Sequence, residues 1–498
     1  MSTITTGPDT APSAAAGPVV SRRRARRATR VWLLAAGTLA AGSIVAACGG
    51  GAPATVAPTS TTAVRSVEEI ERQGGAATVF NEGAGAFEQP VPGMDSQQRR
   101  TFAVGNSLFN QNWVTAPAST TGRDGLGPIF NAQSCSSCHF RDGRGRPPES
   151  ADDPERGLLV RISVAGDDGA EPHPVYGDQF QDRALRDQTA EGSVVITTTE
   201  RPGRFADGTA YSLAVPDYAL ITADGTDISG SLMVSPRVAP QVIGVGLIEA
   251  IPEEDVIAAE DPDDADGDGV SGRAHMVTDP RTGETVLGRF GWKAAVPTVE
   301  AQNAAAFVGD LGITSSLHPD QPCTAVQTEC LAAPSGGEPE IEDDELAQVT
   351  FYTRTLAVPA RRDVRADDVV AGEKLFSEIG CAACHTPTQR SGPSDIEALH
   401  EQTFSPFTDL LLHDMGPDLA DGRPDGDASG REWRTPPLWG IGLVERVNDH
   451  TRYLHDGRAR SLSEAVLWHG GEASTAQGRF TRLLAAERRA LLVFLESL

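Results

Sequence analysis

The amino-acid sequence predicts a mainly α protein of two similar domains, the first carrying a small β insertion. Three observations lead there. One pentapeptide pattern occurs twice, as Cys135-Ser-Ser-Cys-His139 and Cys381-Ala-Ala-Cys-His385. Each copy follows a segment with Gly and Phe four residues apart, Gly105 to Phe109 and Gly372 to Phe376. That spacing puts both on one helix face, where a small residue beside an aromatic allows close helix crossing. Each half then closes on a helical pattern, over residues 342–356 and 480–496.

In the first closing segment acids lead, and Leu346, Val349, Phe351, Tyr352 and Leu356 follow before Pro359 stops it. In the second, Leu484, Leu491, Leu492 and Leu495 fall on one stripe. Between the first pentapeptide and residue 250 the pattern changes. Leu158–Ile162, Val194–Thr198 and Tyr211–Val215 are short, rich in apolar and β-branched residues, and bounded by Gly, Pro and Asp, which reads as strands. The resulting organisation is a leader over 1–47, a flexible tether over 48–94, a first domain over 95–360 with its insertion at about 155–250, and a second domain over 361–498.

A chain of 498 residues has room for two or three domains. It is acidic, with 42 Lys and Arg against 69 Asp and Glu, a net charge of -27. Beyond residue 47 the balance is 36 against 68, or -32. Nucleic acid is excluded as a partner, because such binding rests on Lys and Arg neutralising phosphates. A polybasic membrane-surface protein is excluded as well. A basic redox protein or a neutral small molecule is compatible with this charge. Aromatics are 5% of the chain, and Gly and Pro number 52 and 34, so the core is thin for the length and a bound apolar cofactor would help fill it.

The N-terminus reads as an export signal. Six Arg lie between residues 22 and 30, an uncharged and mostly apolar run of 17 follows over 31–47, and Cys48 comes next. A basic region, a short apolar run and small residues at the cut describe a secretory signal. Val45-Ala46-Ala47-Cys48 resembles a bacterial lipobox, so Cys48 is expected to carry a lipid anchor facing the periplasm or cell exterior. A transmembrane anchor is the alternative reading of the same run.

Of the seven Cys, four belong to the pentapeptides. C-x-x-C-H is the attachment signature of c-type haem. Two thiols one turn apart add to the two porphyrin vinyl groups, and the following His ligates the iron. Cys135, Cys138, His139, Cys381, Cys384 and His385 are therefore expected to hold two covalent haems, in two cytochrome c-like domains. A zinc ribbon would need its Cys pairs much closer in sequence. Cys323 and Cys330 enclose a short loop, and outside the cytoplasm a disulfide is expected there.

Asp264, Asp266 and Asp268, followed by Gly269, form the front half of a calcium loop. His275 stands where the usual Glu would be; a solvated acidic turn is the plain alternative. The sixth iron ligands are left open. Met415 and His469 are candidates for the second haem, with His400, His413, His450 and His455 also in that half; His173, His275, Met276 and His318 are candidates for the first. Strong ligands on both sides make an electron carrier, while an open side admits a small oxidant.

Several further segments resemble one family. They are Gly125–Asn131, Gly288–Ala294, Leu411–Pro417, Arg434–Trp439, Tyr453–Gly457 and Glu464–Gly470. Together with the haem motifs they are similar to the bacterial di-haem cytochrome c peroxidase superfamily, most closely its di-haem oxidoreductase branch, whose members are also described as thiol oxidoreductases. The resemblance implies that Trp292 relays electrons between the haems and that Gln302, ten residues on, lines the peroxide site. The catalytic Glu of the peroxidases has no counterpart, and Asp310 is the nearest acid. His469 stands where the peroxidases place a methionine ligand, 14 residues after His455, and Met415 is the alternative. A calcium ion between the domains is also implied. The expected activity is reduction of hydrogen peroxide with electrons from a small cytochrome or cupredoxin. The alternatives are a non-catalytic electron-transfer protein and an oxidase of an organic or thiol substrate.

Overall fold

A computed structural model describes residues 66–119, 122–150, 153, 157–166 and 169–498. The expected leader, Cys48 and the start of the tether lie outside the described residues. No helix among the described residues is long and apolar enough to cross a membrane.

The chain is not the mainly α pair of cytochrome c-like domains that its sequence predicts. It is about 30% helix and 20% strand. The described strands form one four-stranded and six two-stranded sheets. The physical reason lies in the Gly- and Pro-rich connections. Extended backbone that is packed away from water must pair its N–H and C=O groups, and neighbouring connections supply the partners two or three residues at a time. Ladders that short leave no period-two signature in the sequence.

The helices that place the motifs follow from local sequence. Asp95 caps Ser96–Asn110, its carboxylate accepting from the Gln97 and Gln98 amides, while the Gln98 side chain returns to the Asp95 amide. Val299–Leu311 is capped by Thr298 and ends at left-handed Gly312. Asp343–Arg354 begins with three acids in its first turn, which complement the helix dipole. Asp367–Glu378 and Ala485–Ser497 complete the set.

Two glycines make the helix crossings. A Cβ on Gly105 would lie 2.2 Å from the Gln348 carbonyl oxygen, and one on Gly372 would lie 2.0 Å from that of Ala490. Only hydrogen fits at either point, so Ser96–Asn110 rests on Asp343–Arg354 and Asp367–Glu378 rests on Ala485–Ser497. The Phe four residues on seals each crossing. Phe109 meets Tyr352 at 5.4 Å between ring centroids, and Phe376 meets Phe494 at 5.2 Å.

The stretch from residue 66 to 94, expected as part of a flexible tether, is packed. Thr78–Val79 pairs in parallel with Val358–Pro359, and Phe87 is fully buried in the largest apolar cluster. That cluster joins Phe102 and Tyr352 from one half to Leu399, Phe404 and Trp439 from the other. Apolar residues on both sides of residue 360 thus bury one another.

Within the β region, Leu158–Gly166 pairs with Met233–Val238 over six residues. Gly192–Arg204 and Ala210–Thr222 make a separate antiparallel hairpin. The hairpin turns away from that sheet and lies on the second half. Glu464 accepts from the Ala214 amide at 2.6 Å, the Tyr218 hydroxyl donates to Asp456, and Phe205 and Leu213 enter the cluster around Phe376, Phe480 and Phe494. Cys323 and Cys330 form a disulfide, as the sequence predicts.

Candidate functional site

The two C-x-x-C-H segments fold alike. Cys135–Ser137 and Cys381–Ala383 are single 3-10 turns. The His139 and His385 amides donate to the Cys135 and Cys381 carbonyls at 2.9 and 3.0 Å. The shared turn sets both thiols of a pair along one edge, with the His at its end. Burial pushes the Cys135 and Cys381 thiols up to about 12 and raises those of Cys138 and Cys384. None of the four is in a disulfide.

Each His is fixed by a backbone carbonyl distant in sequence. His139 Nδ1 lies 2.8 Å from the Pro240 oxygen, and His385 Nδ1 lies 2.9 Å from that of Phe407. A carbonyl partner requires the proton on Nδ1 and leaves Nε2 with a free lone pair, the arrangement in which protein His binds a metal. Burial lowers both rings to about 4, so each is neutral near pH 7.

A single cavity of about 1000 Å³ is lined by residues of both motifs. Trp292 lies in its wall and is tied to both sides. Its Nε1 donates to the Val238 carbonyl at 2.8 Å, two residues before Pro240, which holds His139. Its own carbonyl accepts from the Arg434 amide at 2.9 Å. Next to Arg434, the Thr435 carbonyl accepts from the Thr408 hydroxyl, and Thr408 adjoins Phe407, which holds His385. Gln302 also lines the cavity, and its buried Oε1 has no hydrogen-bond partner. Asp310 lines it near the first motif; its backbone carbonyl accepts from the Asn131 and Ala132 amides. Burial raises the Asp310 carboxyl, and a hydrogen bond from Gln179 Nε2 at 2.8 Å offsets part of that rise.

His469 and Met415 both line the cavity. His469 Nδ1 is taken by the Ala465 carbonyl at 2.7 Å, which again leaves Nε2 free. Burial lowers this ring as well. Met415 packs among apolar neighbours that include Trp433. His173, His275, Met276 and His318 all lie outside the cavity wall. His275 is buried with Nδ1 on the Lys293 carbonyl, and His173 stacks on Tyr176.

The acidic loop divides. Asp264 and Asp266 gather with Asp261, while Asp268 lies in the cavity wall. Much of the loop's carboxylate capacity is used locally: Asp264 accepts from the Gly269 amide, Asp266 from that of Asp268, and Asp268 from that of Val270.

Sequence reasoning named His413 only as one of several candidate ligands in the second half and missed its carboxylate partners. The His413 ring sits between Asp409, at 3.0 Å, and Glu472, at 2.7 Å, with Cys384 Sγ 3.6 Å away. Burial opposes a charge here, but hydrogen bonds to Asp409, Cys384 and Glu472 outweigh it and push the imidazole up to about 12. Glu472 also accepts from the Ser271 and Asp414 amides, which ties the acidic loop to the second motif. His413 falls within a segment that carries the family resemblance, and that was its signal. Glu472 had none.

Two matched C-x-x-C-H turns open on one cavity, an arrangement with the donor groups that two haems would need. The residues fit that group: paired unbridged thiols, two neutral imidazoles with open Nε2 atoms, a cavity shared by both and an orphaned amide oxygen on its wall. Comparison with family models agrees. Residues 67–171 and 227–498 match the family described as di-haem oxidoreductase, putative peroxidase, and the chain belongs to that family. It is a peroxidase-like di-haem oxidoreductase. Among curated proteins, none matches the chain. The stretch that the family model skips, 172–226, contains the hairpin laid on the second half.

Proposed function

We propose that the chain binds two haems through Cys135 and Cys138, and through Cys381 and Cys384, and reduces hydrogen peroxide at the first of them. His139 and His385 would ligate the irons, and His469 would complete the second. The haem iron supplies the redox chemistry, in which one peroxide, two electrons and two protons become two waters. The observation that carries this reading is the cavity common to both motifs, with Trp292 bonded to the segments that seat both His. The wall around the first motif offers no second ligand from the four candidates named above, and that favours an open iron there over a pure electron carrier.

The residues divide the remaining work. Trp292 is buried and held at both its indole nitrogen and its carbonyl, so it offers a fixed aromatic path between the sites. Gln302 presents an unpaired amide to the cavity and would orient the peroxide. Asp310, with its carboxyl raised by burial, holds a proton closer to neutral pH than an exposed Asp does. Electrons would enter at the second haem from a small cytochrome or cupredoxin; the acidic surface suits a basic partner. The proposal places the chain outside the cytoplasmic membrane with Cys48 lipidated, on the strength of the leader alone. Calcium at Asp264, Asp266 and Asp268 would need Asp268 to turn from the cavity wall toward the other two.

The test is to mature the chain in a host competent for cytochrome c assembly. Mass spectrometry is expected to show two covalent haems. Peroxide is expected to reoxidise the reduced protein promptly, with one high-spin haem in the optical spectrum. Two purely low-spin haems unresponsive to peroxide would overturn the catalytic reading and leave an electron carrier.

A further inference from the structure

The three haem-facing imidazoles are not held alike. His139 and His385 each follow a C-x-x-C turn and are fixed by carbonyls distant in sequence, those of Pro240 and Phe407. His469 is fixed only by the Ala465 carbonyl of its own helix, Leu462–Trp468. Its ring therefore goes wherever that short helix goes, and the helix has to be held from outside.

The hairpin of Gly192–Arg204 and Ala210–Thr222 grips it near both ends. It lies in the stretch outside the family match. Near the helix start, Glu464 is buried, and a buried carboxylate is costly unless it is hydrogen-bonded. One of its oxygens accepts from the Ala214 amide at 2.6 Å, and the other from Arg460 Nε at 2.9 Å. Arg460 also pairs at 2.7 Å with Glu200, which stands opposite Ala214 in the hairpin. At the helix end, the Arg201 guanidinium lies over the buried Trp468 ring, 4.5 Å from its centroid. Trp468 is the residue just before His469. The hairpin is itself anchored at both extremes. At its tip the Ala206 amide donates to the Thr481 carbonyl and Asp207 pairs with Arg488. At its base Val194 and Leu220 pack with Val160, Ile162 and Phe180 of the first-half sheet.

We infer that this hairpin is a clamp that holds His469 on the second iron, with Glu464 and Arg201 as positioning residues. The inference rests on the proposed haem binding and on His469 as a ligand. It adds that closure of the second site is imposed by a segment of the first half. A helix kept from swinging keeps its imidazole in place and small molecules out, so the second site passes electrons while oxidant reaches only the first. By linkage the coupling is reciprocal: ligation by His469 must tighten the docking of the hairpin by the same factor.

The test uses the full mature chain, reduced under carbon monoxide. His469→Ala sets the reference and is expected to bind one more carbon monoxide per chain than wild type, at the second haem. Ala214→Pro removes the donor amide from an outward-facing strand position, where the same strand already carries Pro216 two residues on. Glu464→Ala removes the acceptor. Each should raise the fraction of second haem open to carbon monoxide about tenfold or more, as loss of a hydrogen bond to a buried charge does. Glu464→Gln keeps an oxygen for the Ala214 amide and should restore most of the closure. Variants that melt earlier yet keep the second haem as closed as wild type overturn the inference, because the hairpin then serves folding alone. Hydrogen exchange at the Ala214 amide in His469→Ala reads the reciprocal effect without altering the hairpin. It should speed up about tenfold, matching the factor above, and unchanged exchange overturns the inference as well. A mature chain without haem, or a His469→Ala variant that binds no additional carbon monoxide, is instead the failure of the proposed function.

Discussion

His455 stacks on Trp433 with ring centroids 3.8 Å apart and planes 12° from parallel, and it meets Trp292 edge-on at 6.4 Å. The three rings join the Tyr453–Gly457 loop to the Glu432–Arg434 strand and to the wall between the motifs. Trp433 is buried, and its Nε1 donates to the Leu419 carbonyl, so the stack has no freedom to slide. Trp433→Ala is expected to cost about 3–5 kcal/mol of stability, the range for truncating a buried Trp, and Trp433→Phe much less because an aromatic face remains. Urea unfolding followed by far-ultraviolet dichroism reads this directly. An Ala variant within about 1 kcal/mol of wild type would show that the stack is incidental, since such losses are typical of tolerated surface changes.

The same imidazole sets a pH dependence. Burial lowers His455 to about 3 from an ordinary 6.5, against the pull of Asp456; Arg458, Arg237 and Lys293 add to the lowering. The unfolded chain therefore takes up a proton at His455 as pH falls below about 6.5, while the folded chain does so only near 3. Stability is full above the unfolded value and is lost as pH drops through that window. His455→Gln should flatten the acid limb, with wild type losing about 2 kcal/mol more than the variant between pH 7 and pH 4.5. Parallel acid limbs in the two proteins would refute it.

Gly105 and Gly372 invite the simplest test of the helix crossings. Both lie in helices, where Ala is the better former, so on propensity alone Gly→Ala should stabilise. The carbonyls of Gln348 and Ala490 stand where the new methyl would go, and backbone cannot retreat cheaply. Gly105→Ala and Gly372→Ala should each cost about 1–3 kcal/mol, as overpacked cores do. A raised melting temperature in either would mean that the crossing is looser than it stands here.

Those glycines also mark how far the sequence could be read. The Gly–Phe spacing, the closing helices and the two C-x-x-C-H turns rest on contacts within a few residues or on a fixed helical period, and each was visible, although the last helix starts only at Ala485 and leaves Leu484 exposed at its N-cap instead of on the apolar stripe. The carbonyls of Pro240 and Phe407 were not, because any residue supplies a carbonyl and only the fold decides which one meets an imidazole. Pairing of Thr78–Val79 with Val358–Pro359 was hidden for the same reason: two residues carry no pattern. The strands over Val194–Thr198 and Tyr211–Val215 were legible as strands, but not their partner surface. Glu464 opens one of the segments that carry the resemblance, but its service to the hairpin through the Ala214 amide is announced by nothing local. The mainly α expectation failed because helices advertise themselves by period and short paired loops do not.

His469 and Met415 both reach the cavity. His469 has Nδ1 anchored at 2.7 Å on the Ala465 carbonyl, as His385 has on that of Phe407, and this shared arrangement supports the proposal of His469 as the ligand. In the matured protein His469→Ala should convert one haem from low to high spin and leave the other unchanged. Met415→Leu should leave both optical spectra as they are, including the near-infrared methionine-to-iron band if one exists. The reverse pattern would hand the role to Met415.

Asp310 offers the sharpest test of the catalytic reading, because its structural and chemical roles predict opposite things. Its carboxyl is raised by burial, so ionising it at neutral pH works against folding, and Asp310→Asn should leave stability unchanged or slightly higher. Gln179 Nε2 would still find an oxygen to donate to, so the wall keeps its shape. If Asp310 delivers a proton to the departing oxygen, the same variant should lose about 100-fold or more in peroxide turnover, the low end for a lost general acid. Wild-type turnover should fall as pH rises through the raised Asp310 value, because the proton is then gone, and the variant should show a flat limb there. Both haem spectra should match wild type throughout, which separates loss of a proton from loss of a site. Full activity with an unchanged alkaline limb would remove Asp310 from the reaction and leave Gln302 as the only polar group of the three predicted catalytic residues still facing the peroxide.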